Sequence, residues 1–330
     1  MKTTPQKTLG KSSLGKIAMI LGGVLVLSGA MAEADTFGTG LNGFTLDFVP
    51  IGNAGNGNDT GAGGSYSTPH GGVAYDYRMG VNEISQEAID KAVAGGLTGM
   101  TAGFWSGNQP SATINWYQAA AFTNWLNTST GHQAAYQLNV GLTELTLWPS
   151  ADAWQVGGEN LYRNKNAQYF LTSENEWYKA AYQKNDGVTA NYWDYATASN
   201  SAPTAVVGGT VPGTAVYAGA ILSEPASVFT DGGLSAYGTR GQGGNVWEWT
   251  ETAYDGVNSS PSEDRVLRGG GWLNAEYFIR SSSRYNFGSP MFSINDVGFR
   301  VASVPEPSAA VLMISAGMLA LARRRTRGAL

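Results

Sequence analysis

Apolar positions along the chain fall into three kinds of pattern. In one segment, Asn115-Trp116-Tyr117-Gln118 has capping-box spacing, and the following residues put Phe122, Trp125 and Leu126 on one side. A helix is predicted there, running at least through Leu126. Ser173-Glu174-Asn175-Glu176 opens a second helix in the same way, continuing through Trp177 to Tyr182, and Ser85 to Val93 is a weaker third candidate. Strict alternation occurs at Phe44-Thr45-Leu46-Asp47-Phe48-Val49, which reads as a strand. Elsewhere short apolar runs are separated by clusters of Gly, Asn, Ser and Pro. That arrangement predicts an α+β fold of short strands, few helices and long ordered loops. No internal repeat is visible.

The third pattern, an unbroken apolar run, appears at both ends. Residues 17–27 (IAMILGGVLVL) follow four lysines and no acid, and precede the small-x-small site Ala30-Met31-Ala32. Residues 1–32 therefore read as a signal peptide that engages the Sec translocon. At the other end Val304-Pro305-Glu306-Pro307 leads into an apolar stretch from Ala309 to Ala322, followed at once by Arg323-Arg324-Arg325. Those fourteen residues would make a helix of about 21 Å, shorter than the roughly 30 Å hydrocarbon core, so a transient inner-membrane anchor is expected. This order resembles the PEP-CTERM sorting signal of Gram-negative bacteria. The resemblance implies recognition by an exosortase over residues 304–330, then delivery to the cell surface or extracellular matrix. Residues 33–72 (GNAGNGNDTGAGG and its flanks) are dominated by small polar residues. They are expected to be a Gly/Asn-rich lead-in, wrapped on the domain or flexible. The domain proper is expected over 73–303.

Composition narrows the chemistry. There is no Cys and only two His, His70 and His132, which removes disulfides, thiolate nucleophiles and the commonest transition-metal sites. The terminal basic residues hide an acidic body: residues 36–304 hold 12 basic and 22 acidic side chains. Nucleic acid is thus not an expected partner. Charged residues make up only 14% of the chain, while Trp, Tyr and Phe number 10, 16 and 11. Such a surface suits contact with polysaccharide or other matrix proteins.

Six blocks in order then carry a family resemblance: Val73-Ala74-Tyr75-Asp76-Tyr77-Arg78-Met79-Gly80; Asn115-Trp116-Tyr117-Gln118 with Asn124-Trp125-Leu126; Tyr169-Phe170-Leu171-Thr172-Ser173-Glu174-Asn175-Glu176-Trp177; Gly244-Asn245-Val246-Trp247-Glu248-Trp249-Thr250; Arg265-Val266-Leu267-Arg268-Gly269-Gly270-Gly271-Trp272 with Arg280 and Arg284; and Gly298-Phe299-Arg300. Together they resemble the formylglycine-generating enzyme, or sulfatase-modifying factor, domain. That resemblance implies one elaborated C-type-lectin-like domain. In the residues themselves, Trp247, Trp249 and Trp272 read as core rings. Gly269 and Gly270 read as backbone that a Cβ would obstruct. The four arginines 268, 280, 284 and 300 read as loop ties, with Glu248 and Asp296 as candidate partners. Glu174 with Glu176, and Glu263 with Asp264, read as solvated acids.

Catalytic members of the family hold copper(I) on two cysteines, and carrying that motif forward puts these positions near Asn274 and Ile279. Neither side chain substitutes for a thiolate. The resemblance also implies a structural Ca²⁺ on the backbone oxygens of Gly244 and Val246 and the carboxylate of Glu248. However, Gly241 stands where an Asn or Asp ligand is usual, and a second, upstream site has no counterpart beyond Asp231. A purely hydrogen-bonded loop is the alternative. The sequence thus points to an exported, non-catalytic binding or structural module. An oxidase of the same family, acting on sulfatases through an unconventional site, is the competing reading.

Overall fold

A computed structural model describes Met1 and residues 32–61, 69–101, 103–219, 223–285 and 288–305. Its three helices begin where side-chain caps replace missing backbone partners. Ser85 Oγ accepts the Ala88 N–H and opens α1 (Gln86–Ala94). At α2 (Trp116–Ser129) Asn115 and Gln118 cap one another reciprocally. Ser173 and Glu176 do the same at α3 (Glu174–Tyr182), with the Ser173 N–H 2.6 Å from Glu176 Oε2. Each reciprocal box satisfies two of the orphan groups of a first turn. Helix α2 buries Phe122 and Leu126 completely, while Trp125 stays at the edge of the core and stacks on Phe44, with ring centroids 5.9 Å apart.

Eight strands carry the architecture. Strands β1 (Glu33–Phe37), β2 (Phe44–Ile51), β3 (Tyr77–Gly80), β4 (Tyr169–Leu171) and β8 (Val301–Ser303) form an antiparallel sheet in the order β1-β2-β3-β8-β4. A second sheet has β5 (Trp247–Ala253) between β6 (Arg265–Arg268), antiparallel to it, and β7 (Val297–Phe299), parallel to it. The two sheets are covalently joined at one residue, since Arg300 alone separates β7 from β8. Between them and α2 lies the main core, with Trp116, Phe122, Trp249, Phe299 and Val301 fully buried. The fold is α+β, as the sequence indicated.

One expectation needs correction. The alternation at Phe44–Val49 is indeed part of strand β2, but Glu33–Phe37, expected to be lead-in, is also a strand of the main sheet. The sequence of β1, Glu-Ala-Asp-Thr-Phe, hides this because only Phe37 is apolar enough to signal burial. Tertiary partners make the strand: Asp35 receives Arg78 at 2.7 Å and the Tyr169 hydroxyl at 2.9 Å, and Phe37 packs edge-on against the Tyr169 ring. The glycine- and asparagine-rich part that follows is bound to the body as ordered loop. Asn56 Nδ2 donates to the Gly71 carbonyl and to the Tyr192 hydroxyl, and Tyr178 donates to Asp59. The apolar segments assigned to signal and anchor, together with Glu306, Pro307 and Arg323-Arg324-Arg325, lie outside the described residues. Pro305 is described, and is exposed just after β8. Among the described residues no helix is long and apolar enough to cross a membrane.

Candidate functional site

The family-like blocks converge on a buried network of acids and arginines. Glu174 and Glu176, expected to be solvated, are both buried, because the capped start of α3 turns them inward. Arg163 lies between Glu176 and Glu251. Its Nη1 and Nη2 each stand 2.9 Å from a Glu176 oxygen, and its Nη2 is 2.7 Å from Glu251 Oε2. The Tyr75 and Tyr136 hydroxyls add hydrogen bonds to the two carboxylates, and the Phe170 ring lies under the guanidinium at 3.7 Å. Arg268 and Arg284 both close on Glu174, at 2.6 and 2.9 Å. Burial opposes the charge on Glu174, but those guanidiniums outweigh it and hold the carboxyl down to about 2. Burial also opposes the charge on His70, whose Nε2 is 3.6 Å from Glu174 Oε1. It lowers the imidazole to about 4, so the ring is neutral at physiological pH. His132 is exposed just beyond α2. By contrast Glu263 is only half-buried and Asp264 is exposed.

Arg300 is tied to Glu248, as expected. Nε to Oε2 is 2.6 Å, Nη2 to Oε1 is 2.7 Å, and the Trp177 indole N–H donates to Oε2 as well. Both oxygens of Glu248 are therefore already bonded to cationic or neutral donors, so the carboxylate expected to face calcium is engaged elsewhere. The neighbouring backbone is fixed too. Gly244 N–H donates to the Gly269 carbonyl, and Val246 N–H donates to Glu83 Oε1. Asn245 adopts a left-handed φ of 59° while its amide spans Ala226 N–H and Glu83 Oε2. Trp247, Trp249 and Trp272 are core rings, with Trp249 donating to the Ile114 carbonyl. Gly298 pairs with Glu248 across β5 and β7, and Phe299 packs edge-on against Phe122. Two arginine expectations change. Asp296 receives none of the four guanidiniums; its backbone carbonyl accepts Trp247 N–H instead. Arg280 pairs with Glu276, four residues back, at a partly exposed site.

The positions carried over for the two cysteines are structural. Asn274 Oδ1 accepts the Gly271 N–H at 2.7 Å, and its carbonyl accepts the Ala218 N–H. Ile279 is buried against Gly270, whose φ is +73° and where a Cβ would come 2.9 Å from Ile279 Cγ2. In this loop Leu273 and Tyr277 are about half exposed or more. Beneath them Tyr285 stacks on Trp247 at 4.9 Å, with Phe278 edge-on to both. Phe104 is exposed beside Trp105, and Trp105 meets Trp272 at 6.1 Å and donates to the Asn295 carbonyl.

Sequence reasoning missed Glu83, Arg163 and Glu251. Glu83 follows β3 within an apolar stretch, Met79 to Ile84, where an acid needs a partner. Asp231 and Glu83 lie together beside Gly241. Its φ is +77°, and a Cβ built there would collide with Asp231 Oδ2 and come 3.4 Å from Glu83 Cδ. Where the resemblance leads one to expect a ligand side chain at 241, a carboxylate from ten residues earlier fills the space. Among the described residues no group of three or more His or carboxylate side chains is placed to hold a metal ion.

Comparison with solved structures gives the same architecture at low identity. Treponema denticola variable protein 1 is 23% identical, with a TM-score of 0.57 over 83% of this chain and 99% of that one. CarF is 18% identical, with a TM-score of 0.52 over 79% and 99% of the two chains. PvdO from Pseudomonas aeruginosa is 17% identical, with a TM-score of 0.51 over 82% and 98%. No curated protein matches the sequence. The model of the sulfatase-modifying factor enzyme 1-like domain matches residues 11–304, most of the chain, and the protein belongs to that family.

Proposed function

We propose that the protein is an exported, non-catalytic member of its family that serves as a binding or structural module at the cell surface or in the extracellular matrix. The observation that carries this reading is the use made of positions 274 and 279. An amide that closes a turn and an isoleucine packed under a glycine leave no soft donor for copper(I). The exposed rings of Tyr277 and Phe104, with Leu273 exposed next to Trp272, support a binding role, since rings stack on sugar faces. The exposed Arg280–Glu276 pair beside Tyr277 offers polar contacts for hydroxyls. Export rests on the lysine-flanked apolar run near the N-terminus and on the Pro-Glu-Pro, apolar and arginine order near the C-terminus. An exosortase is the processing partner this implies, with the inner membrane a temporary station.

Two measurements test the reading. Titration of the purified protein with extracellular polysaccharide of its host, followed by tryptophan fluorescence, is expected to saturate; no response to polysaccharide or matrix protein removes the binding claim. Incubation with copper, dioxygen and a cysteine-containing sulfatase peptide is expected to leave the peptide mass unchanged. Loss of its sulfur would establish the oxidase instead.

A further inference from the structure

We propose that a polar groove across the start of α3 is a binding site for an uncharged glycan and holds two adjoining sugar rings. The proposal rests on the reading of the protein as a binding module, but the groove is distinct from the exposed rings near Tyr277. Trp247, at one end of β5, packs beneath those rings, whereas Thr252, near the other end, lines the groove. One lobe, of about 300 Å³, is bounded by Tyr75, Trp154, Val156, Asn160 and Val257. The other, of about 230 Å³, is bounded by His70, Tyr254, Asp255 and Arg284. Asn175, Thr252 and Gly256 line both, so the lobes adjoin. Together they fall within the roughly 300–1,000 Å³ typical of small-ligand sites.

The lining selects the ligand. Its buried charges cancel one another: Arg163 is shared by Glu176 and Glu251, Arg284 is bound to Glu174, and burial keeps His70 neutral. A phosphate or carboxylate would find each of these cations already paired, and the exposed acids Glu159 and Asp255 would repel it. What the groove offers instead is hydrogen bonding without net charge. Asn258 Nδ2 donates to Asn160 Oδ1, which fixes both amides, and Thr252 Oγ1 accepts the Glu174 N–H and still has its own proton to donate. The first turn of α3 adds a donor. Glu174 N–H goes to Thr252, Glu176 N–H to Ser173 Oγ and Trp177 N–H to the Ser173 carbonyl. That leaves the Asn175 N–H, where the lobes meet, without a partner among the described residues. Tyr75 and Trp154, edge-on at 5.3 Å, supply an aromatic wall, and Val156 and Val257 stand half exposed at the rim, apolar surface for the C–H face of a sugar. Beside Gly158 and Gly256 the space is open, with nothing within 4 Å of a Cβ built on either, so a longer chain has room to continue past the two rings.

The probes are cellobiose, maltose and N,N′-diacetylchitobiose with their monosaccharides, and then the extracellular polysaccharide of the host. Saturation-transfer NMR of the purified protein should pick out a disaccharide bound about tenfold or more tighter than its monosaccharide, because it fills both lobes. With sugar bound, hydrogen exchange should slow over residues 154–160 and 252–258, which line the groove, and not over 273–279. Val257→Trp and Val156→Trp, at exposed rim positions, should each keep the fold and weaken binding by about tenfold or more, whereas Tyr277→Ser should leave disaccharide binding as it is. If polysaccharide binds the wild type and both folded rim variants equally well, the groove proposal fails while the binding reading stands. If neither sugar nor polysaccharide binds the wild type, the groove proposal fails together with the polysaccharide reading. Should the rim variants not fold, exchange in the wild type decides, and protection confined to 273–279 would overturn the groove.

Discussion

Two sets of buried acids lie in the same domain and are treated oppositely. Glu174, Glu176, Glu248 and Glu251 each face at least one guanidinium within 3 Å, with further hydrogen bonds on most of their oxygens. Asp231 and Glu83, close to Glu248, have no such partner. The first set holds distant stretches of chain together: Arg268 and Arg284 reach Glu174 across 94 and 110 residues. In the second set Glu83 also ties distant chain, accepting from Asn245 and Val246 across 162 and 163 residues, but through neutral donors, while neither Asp231 oxygen has a hydrogen-bond partner. The contrast separates acids fixed by direct guanidinium contacts from acids whose burial is not matched by a close cation, and burial raises the carboxyls of the latter.

The strongest way to break the contrast is at Arg163. Arg163→Ala leaves Glu176 and Glu251 buried without their cation and should cost about 3–5 kcal/mol, read by urea denaturation. A loss under 1 kcal/mol would mean the paired set is not what holds the core. Next comes acid. Because Glu174 is depressed to about 2 in the folded protein, its stabilisation is complete above the ordinary carboxylate value of 4.5 and disappears as pH falls towards 2. The stability–pH curve should drop by about 3 kcal/mol through that window, and Glu174→Gln should flatten it while lowering the plateau.

Asp231 should behave in the reverse sense. Its folded value is raised to about 8 from 3.8, so its favourable contribution is complete below 3.8 and is lost as pH rises through 8. At pH 8, Asp231→Asn should therefore raise stability, by about 1–3 kcal/mol. A destabilised variant would show that the carboxylate has a partner after all. The smallest effect on stability is expected at the exposed rings. Tyr277→Ser should shift the folding free energy by no more than about 0.5 kcal/mol. If the binding reading holds, the same change weakens polysaccharide binding, and unchanged binding would move the ligand face elsewhere.

These features were unequally legible in the sequence. The helix starts at Asn115, Ser173 and Ser85 could be read, because a cap and its partner sit three residues apart. The core roles of Trp247, Trp249 and Trp272 could be read for another local reason, since rings of that size gain most from leaving water. Ion-pair partners could not. Glu174 looked solvated because its exposure depends on arginines about a hundred residues away, and Asp296 looked like a partner only because it lies close to Arg300 in the chain. Strand β1 was hidden for the same reason, its polar residues being paired by Arg78 and Tyr169. The Asp231–Glu83 pair depended on the glycine at 241, whose consequence appears only when the space beside it is seen filled.

Arg78 touches both borders of the folded body. It reaches Asp35, and more loosely Glu33, near where the domain begins, and donates to Ser303 Oγ as it finishes. A single guanidinium thus acts as a clasp at which head and tail meet. The first and last strands of the sheet share this one guanidinium, so losing it loosens both borders of the body together.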